Sequence, residues 1–412
     1  MSLLDHYAEQ LDQFKQQGNF RQFTSNQQQG RWITIQDRTM LNLASNDYLG
    51  LAADLSLRKE FLDTLKIERA LFSSSSSRLL TGNFAEYEQF ENSLSKAFGR
   101  AALLFNSGYH MNIGILPALA DSKTIILADK LVHASMIDGI RLSTAQYVRY
   151  RHNDLQHLEQ LLQKYHQDEQ IERVIVVTES IFSMDGDETD LAALAQLKQR
   201  FAKTMLYVDE AHAIGVRGEQ GLGCAEQYGV LDQIDFLVGT FGKAIASVGG
   251  YIICDSIIRD YLINKMRPLI FSTALPPISM AWSDFIFNKV LSMQQQRQHL
   301  AEISQYLQQS VITKGFSSPS SSHIIPIIVG ESQLRSKREL IEKFINNHLP
   351  QIEDNDLVEE KFDEYLKEER KAAIEELSNE ENLNQIVLEQ VIGNYLFTNK
   401  TPLRDEIIAT MQ

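Results

Sequence analysis

One lysine and a set of polar residues at the ends of apolar runs carry the chemistry in this 412-residue chain. Lys243 follows the run Phe236-Leu237-Val238-Gly239 and the turn Thr240-Phe241-Gly242, and small residues surround it. Such surroundings disfavour the ammonium form, which frees the amine for Schiff-base chemistry with an aldehyde. Gly108 and Tyr109, His133, Ser183, Asp209, His212 and Thr240 also follow apolar runs. Each has a structural explanation by itself. A lysine after a strand is usually solvated, and an Asp-x-x-His pair or a histidine opening a helix can be a cap. Their joint occurrence points to one ligand.

Pyridoxal phosphate would use these residue types together. Its aldehyde needs a lysine, Lys243. Its ring nitrogen is the better electron sink when protonated, which a carboxylate such as Asp209 enforces. His133 suits a flat ring face and His212 a phenolate oxygen. Thr240 and the backbone N–H groups of Gly108 and Tyr109 suit a phosphate. Metal chemistry is disfavoured because there is no His-Glu-x-x-His and no cluster of cysteines. Gly215, Gly218, Gly221 and Gly223 mimic a nucleotide fingerprint but follow no strand directly, and no Gly-x-Ser-x-Gly elbow supports serine hydrolysis.

Alternating strands and helices must position these side chains. Apolar runs at 101–105, 124–128, 145–150, 173–178, 205–208 and 236–239 read as strands, with helices expected over 84–98, from about 111, and over 155–165 and 191–201. Asp154 makes an N-cap for one of them. This order predicts an α/β fold with a mostly parallel sheet between helices, whose strand carboxyl ends share one rim. Before it lie a helical stripe over 3–17, Arg21 in a polar stretch that could fold over a cleft, and a hairpin of 32–35 with 40–43. The five-serine run 73–77 leads directly into Arg78 and a helix, so an ordered loop is expected.

The composition, 43% hydrophobic and 23% charged, suits a globular chain with a sizeable core. A net charge of -15 with no dense Lys/Arg block argues against nucleic acid and anionic membranes as partners. Cys224 and Cys254 lie far apart, read as half-buried free thiols, and fit a reducing cytoplasm. No secretory leader or apolar span is visible in the sequence.

Residues 1–332 resemble the α-oxoamine synthases, fold type I enzymes dependent on pyridoxal phosphate. SNDYLGL at 45–51, SRLLTGN at 77–83, NSGYHMN at 106–112, LVHAS at 131–135, TESIFSMDGD at 178–187, VDEAHAIGV at 208–216, TFGKA at 240–244 and FSTALPP at 271–277 carry the resemblance. Phe241, the SRLLTGN wording and Arg21 favour the branch that condenses L-alanine with a pimeloyl thioester, on CoA or an acyl carrier protein, in biotin biosynthesis. A glycine-using synthase is the alternative.

The resemblance implies that Lys243 takes the α-proton of alanine and that His133 stacks on the cofactor and helps position substrate. It implies that Asp209 holds the ring nitrogen, His212 and Ser183 the ring oxygen region, and Gly108, Tyr109 and Thr240 the phosphate. Arg21 would touch the acyl substrate. A homodimer is implied, with Ser272 and Thr273 reaching the partner's cofactor phosphate. The expected organisation is an arm over 1–50, a large domain over 51–275, a truncated small domain over 276–332 and an unrelated helical tail over 333–412.

That tail replaces the family's arginine-bearing segments and resembles the C-terminal end of the motor and nuclease subunit of type I restriction enzymes. Phe362, Leu366, Ala373 and Leu377 share one helical face, as do Leu388, Val391, Ile392 and Tyr395, and Thr401-Pro402 reads as a helix start. A helical hairpin would leave the strand at 323–329 without neighbours. Two readings stay open, an acyltransferase weakened by the replacement and a non-catalytic fusion whose tail is an interaction module.

Overall fold

The structure is a computed structural model that describes residues 3–16, 20–313, 316–330 and 385–388. It divides into two units, residues 1–42 and the remainder. In the first unit, helix α1 (Asp5–Gln16) buries no residue, and three short strands β1 (Gln27–Gln29), β2 (Trp32–Ile35) and β3 (Arg38–Leu41) pair antiparallel. The expected four-residue loop is instead the two-residue turn Gln36-Asp37, so the second strand of the hairpin starts at Arg38. Both turn residues have positive φ, 48° and 64°, which matches the twist of the flanking strands.

The second unit is built on a seven-stranded sheet. Its strands are β4 (Ala101–Phe105), β5 (Thr124–Asp129), β6 (Gln146–Tyr150), β7 (Arg173–Glu179), β8 (Thr204–Asp209), β9 (Phe236–Thr240) and β10 (Gly250–Cys254). They lie in the order β4-β10-β9-β8-β7-β5-β6. All neighbours are parallel except β10, which runs antiparallel to both β4 and β9. Reading 236–251 as one stretch around the lysine missed β10, the strand that returns the chain beneath its own turn. Because β4 and β9 flank an antiparallel strand, they point the same way, and their carboxyl ends share a rim with those of β5, β7 and β8.

Alternation along the strands builds two cores. On one face, Leu104, Leu127, Val176, Val208 and Leu237 pack with residues of α3 (Ala85–Phe98), α6 (Leu155–His166) and α7 (Leu191–Gln199). On the other, Leu103, Ile126, Val177, Tyr207 and Val238 pack with α4 (Gly108–Leu119) and α5 (Ala134–Leu142). Helix α2 (Leu55–Thr64) buries Leu57 and Phe61, and Asp54 caps it. Asp154 caps α6 by accepting the His157 N–H, as its position predicts.

Between β8 and β9 the chain forms the short α8 (Cys224–Gln227) and, following β10, α9 (Ser256–Lys265), α10 (Arg267–Ile270), α11 (Pro277–Leu291) and α12 (Gln294–Thr313). Cys224 and Cys254 are free and fully buried rather than half-buried, because both belong to the cores.

A strand β11 (Ile327–Gly330) pairs antiparallel with β12 (Gln385–Leu388). This corrects two expectations. The strand near 323–329 has a neighbour, and that neighbour includes Leu388, which the periodicity places on a helix. Phe362, Leu366, Ala373, Leu377, Val391, Ile392, Tyr395, Thr401 and Pro402 lie outside the described residues.

Candidate active site

Lys243 sits in the turn after β9, and its Nζ lies 2.6 Å from His212 Nε2. The opposite nitrogen of that ring, Nδ1, lies 2.6 Å from the Tyr48 hydroxyl. Tyr48 comes from the SNDYLGL stretch and is fully buried, and His212 is 5% exposed. Burial, then the charge of Lys243, holds His212 well below the usual histidine range. Burial also lowers the Lys243 pKa, while the charges of Asp209 and Glu179 oppose the shift. Burial thus weakens the charged form of both the amine and the imidazole.

Asp209 ends β8. Its Oδ1 accepts the Ala211 N–H at 2.9 Å, and its Oδ2 accepts from Asn112 Nδ2 at 3.0 Å. Asn112 also donates to Ser135 Oγ at 3.0 Å and accepts the Tyr207 hydroxyl at 2.5 Å. His133 caps α5: its Nδ1 accepts the Ser135 N–H and lies 2.7 Å from Ser135 Oγ. Its backbone N–H donates to Glu179 Oε1 at 2.6 Å. Burial lowers the His133 pKa, and it pushes Glu179 up to about 8, with the Asp209 charge adding to the rise.

At the other end of the site, Ser107 caps α4 by accepting the His110 N–H, so the chain turns into the helix at Gly108. A Cβ on Gly108 would lie 3.3 Å from Thr240 Cβ, so these two residues stand in contact. Thr240 Oγ1 donates to the Gly249 carbonyl at 2.8 Å and accepts the Gly242 N–H. Tyr109 is 47% exposed, and its hydroxyl donates to Asp138. Thr273 bridges to Ser77, and its carbonyl accepts from Asn106 at 2.7 Å, which brings the Ser272–Thr273 turn beside the loop that opens α4.

The rim therefore joins Lys243, His212, Asp209 and His133 into one neighbourhood, with Gly108 at the start of α4 in contact with Thr240 at the end of β9. Ser183 is half-buried in the turn after β7 and takes no part in these hydrogen bonds. Arg21 is exposed on the separate first unit. The four discounted glycines all have positive φ and close a loop, in which the Gly215 N–H donates to the Gly221 carbonyl and the Gly223 N–H to the Arg217 carbonyl.

Sequence reasoning passed over Tyr48, Asn112, Ser135, Glu179 and Glu210. Three of them sit inside quoted motifs, and Asn112 and Ser135 each end another, but their roles depend on partners far along the chain. Glu210 is the clearest case: its carboxylate accepts the Cys224 and Ala225 N–H groups and the Ser180 hydroxyl. Arg78 proves structural, reaching Glu91 at 2.7 Å and lying over the Tyr87 ring. Gly186 in TESIFSMDGD has φ +67°, and a Cβ there would meet the Ile324 carbonyl at 2.0 Å, so only glycine lets segment 320–324 lie against this turn. His323 in that segment is 3% exposed, stands against Tyr48, and has no partner at either ring nitrogen.

His152, Asp185 and Asp187 gather potential ligand atoms within 4.8 Å. Both His152 nitrogens are engaged, by Asp129 and Asp187. Burial lowers its pKa, but the two acids outweigh that and raise it to about 10, so the group is an ion-paired brace.

The family model for aminotransferase class I and II matches residues 38–381. The 8-amino-7-oxononanoate synthase of Haemophilus ducreyi is 53% identical over 348 residues, 82% of this chain and 88% of that one. The chain belongs to the aminotransferase class I and II family, in its 8-amino-7-oxononanoate synthase branch.

Solved structures agree with the fold. A structure of SPT with PLP, 26% identical, superposes with a TM-score of 0.73 over 84% of this chain and 87% of that one. The 8-amino-7-oxononanoate synthase of Francisella tularensis, 28% identical, does so with 0.62 over 74% and 85%. The fold is the type I fold of PLP-dependent transferases, and the family cofactor is pyridoxal phosphate. The donor set fits that group: a buried carboxylate, a desolvated lysine, and a glycine kept free of Cβ beside a threonine and a helix N-terminus. Family similarity runs past residue 333 to residue 381, into the segment expected to be unrelated. Among the described residues, no helix is long and apolar enough to cross a membrane.

Proposed function

We propose that this chain condenses L-alanine with a pimeloyl thioester, releasing carbon dioxide and the carrier thiol, to give 8-amino-7-oxononanoate for biotin biosynthesis. The observation that carries it is the line Lys243–His212–Tyr48, with contacts of 2.6 Å at both joints, in a chain 53% identical to a synthase of that name. Bound pyridoxal phosphate supplies an electron sink that stabilises negative charge at the α-carbon of the amino acid.

The side chains divide the remaining work. Lys243 would hold the cofactor's aldehyde carbon and, once released, its Nζ would take the α-proton, a task that its lowered pKa suits. Asp209 would keep the ring nitrogen protonated. His212 and Ser183 would bond the ring oxygen region, and His133 would cover the ring face and help position substrate. Thr240 with the N–H groups of Gly108 and Tyr109 would take the phosphate, where the start of α4 favours negative charge. In a homodimer, Ser272 and Thr273 would reach the partner's cofactor phosphate, and Arg21 would contact the acyl donor, carried by CoA or an acyl carrier protein.

The resemblance of the tail to a restriction subunit adds no reaction, because no helicase or nuclease motif accompanies it. The test is carbon dioxide release with alanine or glycine plus pimeloyl thioester. Release with alanine, lost in Lys243→Ala, supports the proposal. Release with glycine alone would assign the chain to a sister synthase, and a protein that binds cofactor without releasing carbon dioxide would be a non-catalytic fusion.

A further inference from the structure

The polar side chains around the rim are not independent. We propose that Asn112 is a positioning residue that ties Asp209 to His133, so that the ring-nitrogen acid and the stacking imidazole are set as one unit. This inference rests on the cofactor roles proposed above for those two residues.

Asn112 is 2% exposed and fully engaged. Its carbonyl oxygen accepts the Tyr207 hydroxyl, which fixes which way the amide faces and turns both N–H bonds toward the site. One goes to Asp209 Oδ2 and one to Ser135 Oγ, each at 3.0 Å. With that oxygen accepting from Asn112, the Ser135 hydroxyl proton is free to point at His133 Nδ1, 2.7 Å away. The Ser135 N–H points at the same atom. Two donors on Nδ1 leave the neutral ring with its proton on Nε2 and lock the ring plane. Glu179 holds the backbone of the same residue, so His133 is fixed at ring and main chain alike. Swinging the Asn112 amide would therefore disturb the carboxylate and the imidazole together, although the two residues lie on different strand ends.

The experiment has a readout in the protein without cofactor. Histidine-selective nitrogen-15 NMR, with the His133 signals assigned through His133→Gln, reports the tautomer directly. The unaltered chain is expected to show the Nε2–H form at His133. Asn112→Ala and Ser135→Ala are each expected to shift it to a mixture of tautomers. Ser135→Ala removes a single hydroxyl, so it keeps the test alive if Asn112→Ala fails to fold.

In the cofactor-loaded protein, each variant is expected to keep the Lys243-dependent visible band. Each should lose about 10- to 100-fold in kcat, the usual range for supporting contacts, with KM for alanine changed less than threefold. The double variant should be no worse than Asn112→Ala alone, because both substitutions cut one chain of bonds. Unchanged tautomer populations, or losses that multiply in the double variant, would overturn the inference while leaving the functional reading intact. An unaltered protein with no Lys243-dependent band would overturn both.

Discussion

The two ends of the site are built from different materials. At the end proposed for the ring nitrogen, Asp209, Asn112 and Tyr207 are nearly or fully buried and joined by side-chain hydrogen bonds, and the buried Glu210 beside them accepts from Ser180, Cys224 and Ala225. At the end proposed for the phosphate, Thr240 bonds main chain of its own turn region, and Tyr109 is half exposed. The difference matches what each end would hold under the proposed function. A charge on a pyridine nitrogen needs a carboxylate kept in place in a poorly solvated setting. A phosphate arrives with its own charge and can be met by backbone N–H groups and a helix end that fold in place without long-range partners.

Substitutions should expose that contrast, beginning with the residue between the ends. Lys243→Ala should remove the visible absorbance of the loaded protein and lower alanine-dependent carbon dioxide release by about 100-fold or more, as expected for loss of the proton-transferring group. Asp209→Asn keeps the shape and removes the charge. A loss of about 100-fold in kcat is expected, with cofactor still bound through Lys243, and cofactor titration against kcat separates the two effects.

Burial at the ring-nitrogen end should also register in the pH dependence of the cofactor-free protein. Desolvation raises Glu210 from 4.5 to about 7, although hydrogen bonds from Ser180, Ala225 and Cys224 oppose it. Between those values the folded chain binds a proton that the unfolded chain has released, so this group makes stability fall as pH rises from about 4.5 to about 7. The full fall is about 3 kcal/mol, and urea unfolding should show a flatter pH slope in Glu210→Gln even if that variant is less stable throughout.

The phosphate end should be more forgiving. Thr240→Val removes one hydroxyl and should weaken cofactor binding by about fivefold, the worth of one net hydrogen bond. Tyr109→Phe should change binding and stability very little, because the exposed hydroxyl bonds only Asp138. A large effect of Tyr109→Phe, or a small one of Asp209→Asn, would reverse the contrast between the two ends.

Much of this was legible in the sequence because it is local. Strand β4 and the Asp154 cap follow from apolar runs and a single turn residue, and the positions of Lys243, Asp209 and His212 follow from where strands stop. Strand β10 was missed because its neighbours, β4 and β9, are set by pairing across the sheet rather than by its own pattern. The hairpin register shifted because φ values at Gln36 and Asp37 decided the turn. Leu388 fits a helical stripe, yet it pairs with Ile327 in an antiparallel ladder, where a distant partner overrides periodicity.

The chain alone determined which residue types stand at the strand ends, and with them the cofactor, because strand carboxyl ends in a parallel sheet must meet on one rim. Tertiary structure alone decided that Tyr48 meets His212, that Asn112 spans Asp209 and Ser135, and that Glu179 holds the His133 backbone. Hydrogen bonds between residues far apart in sequence leave no periodic trace. They form only where packing has removed water and left one partner within reach.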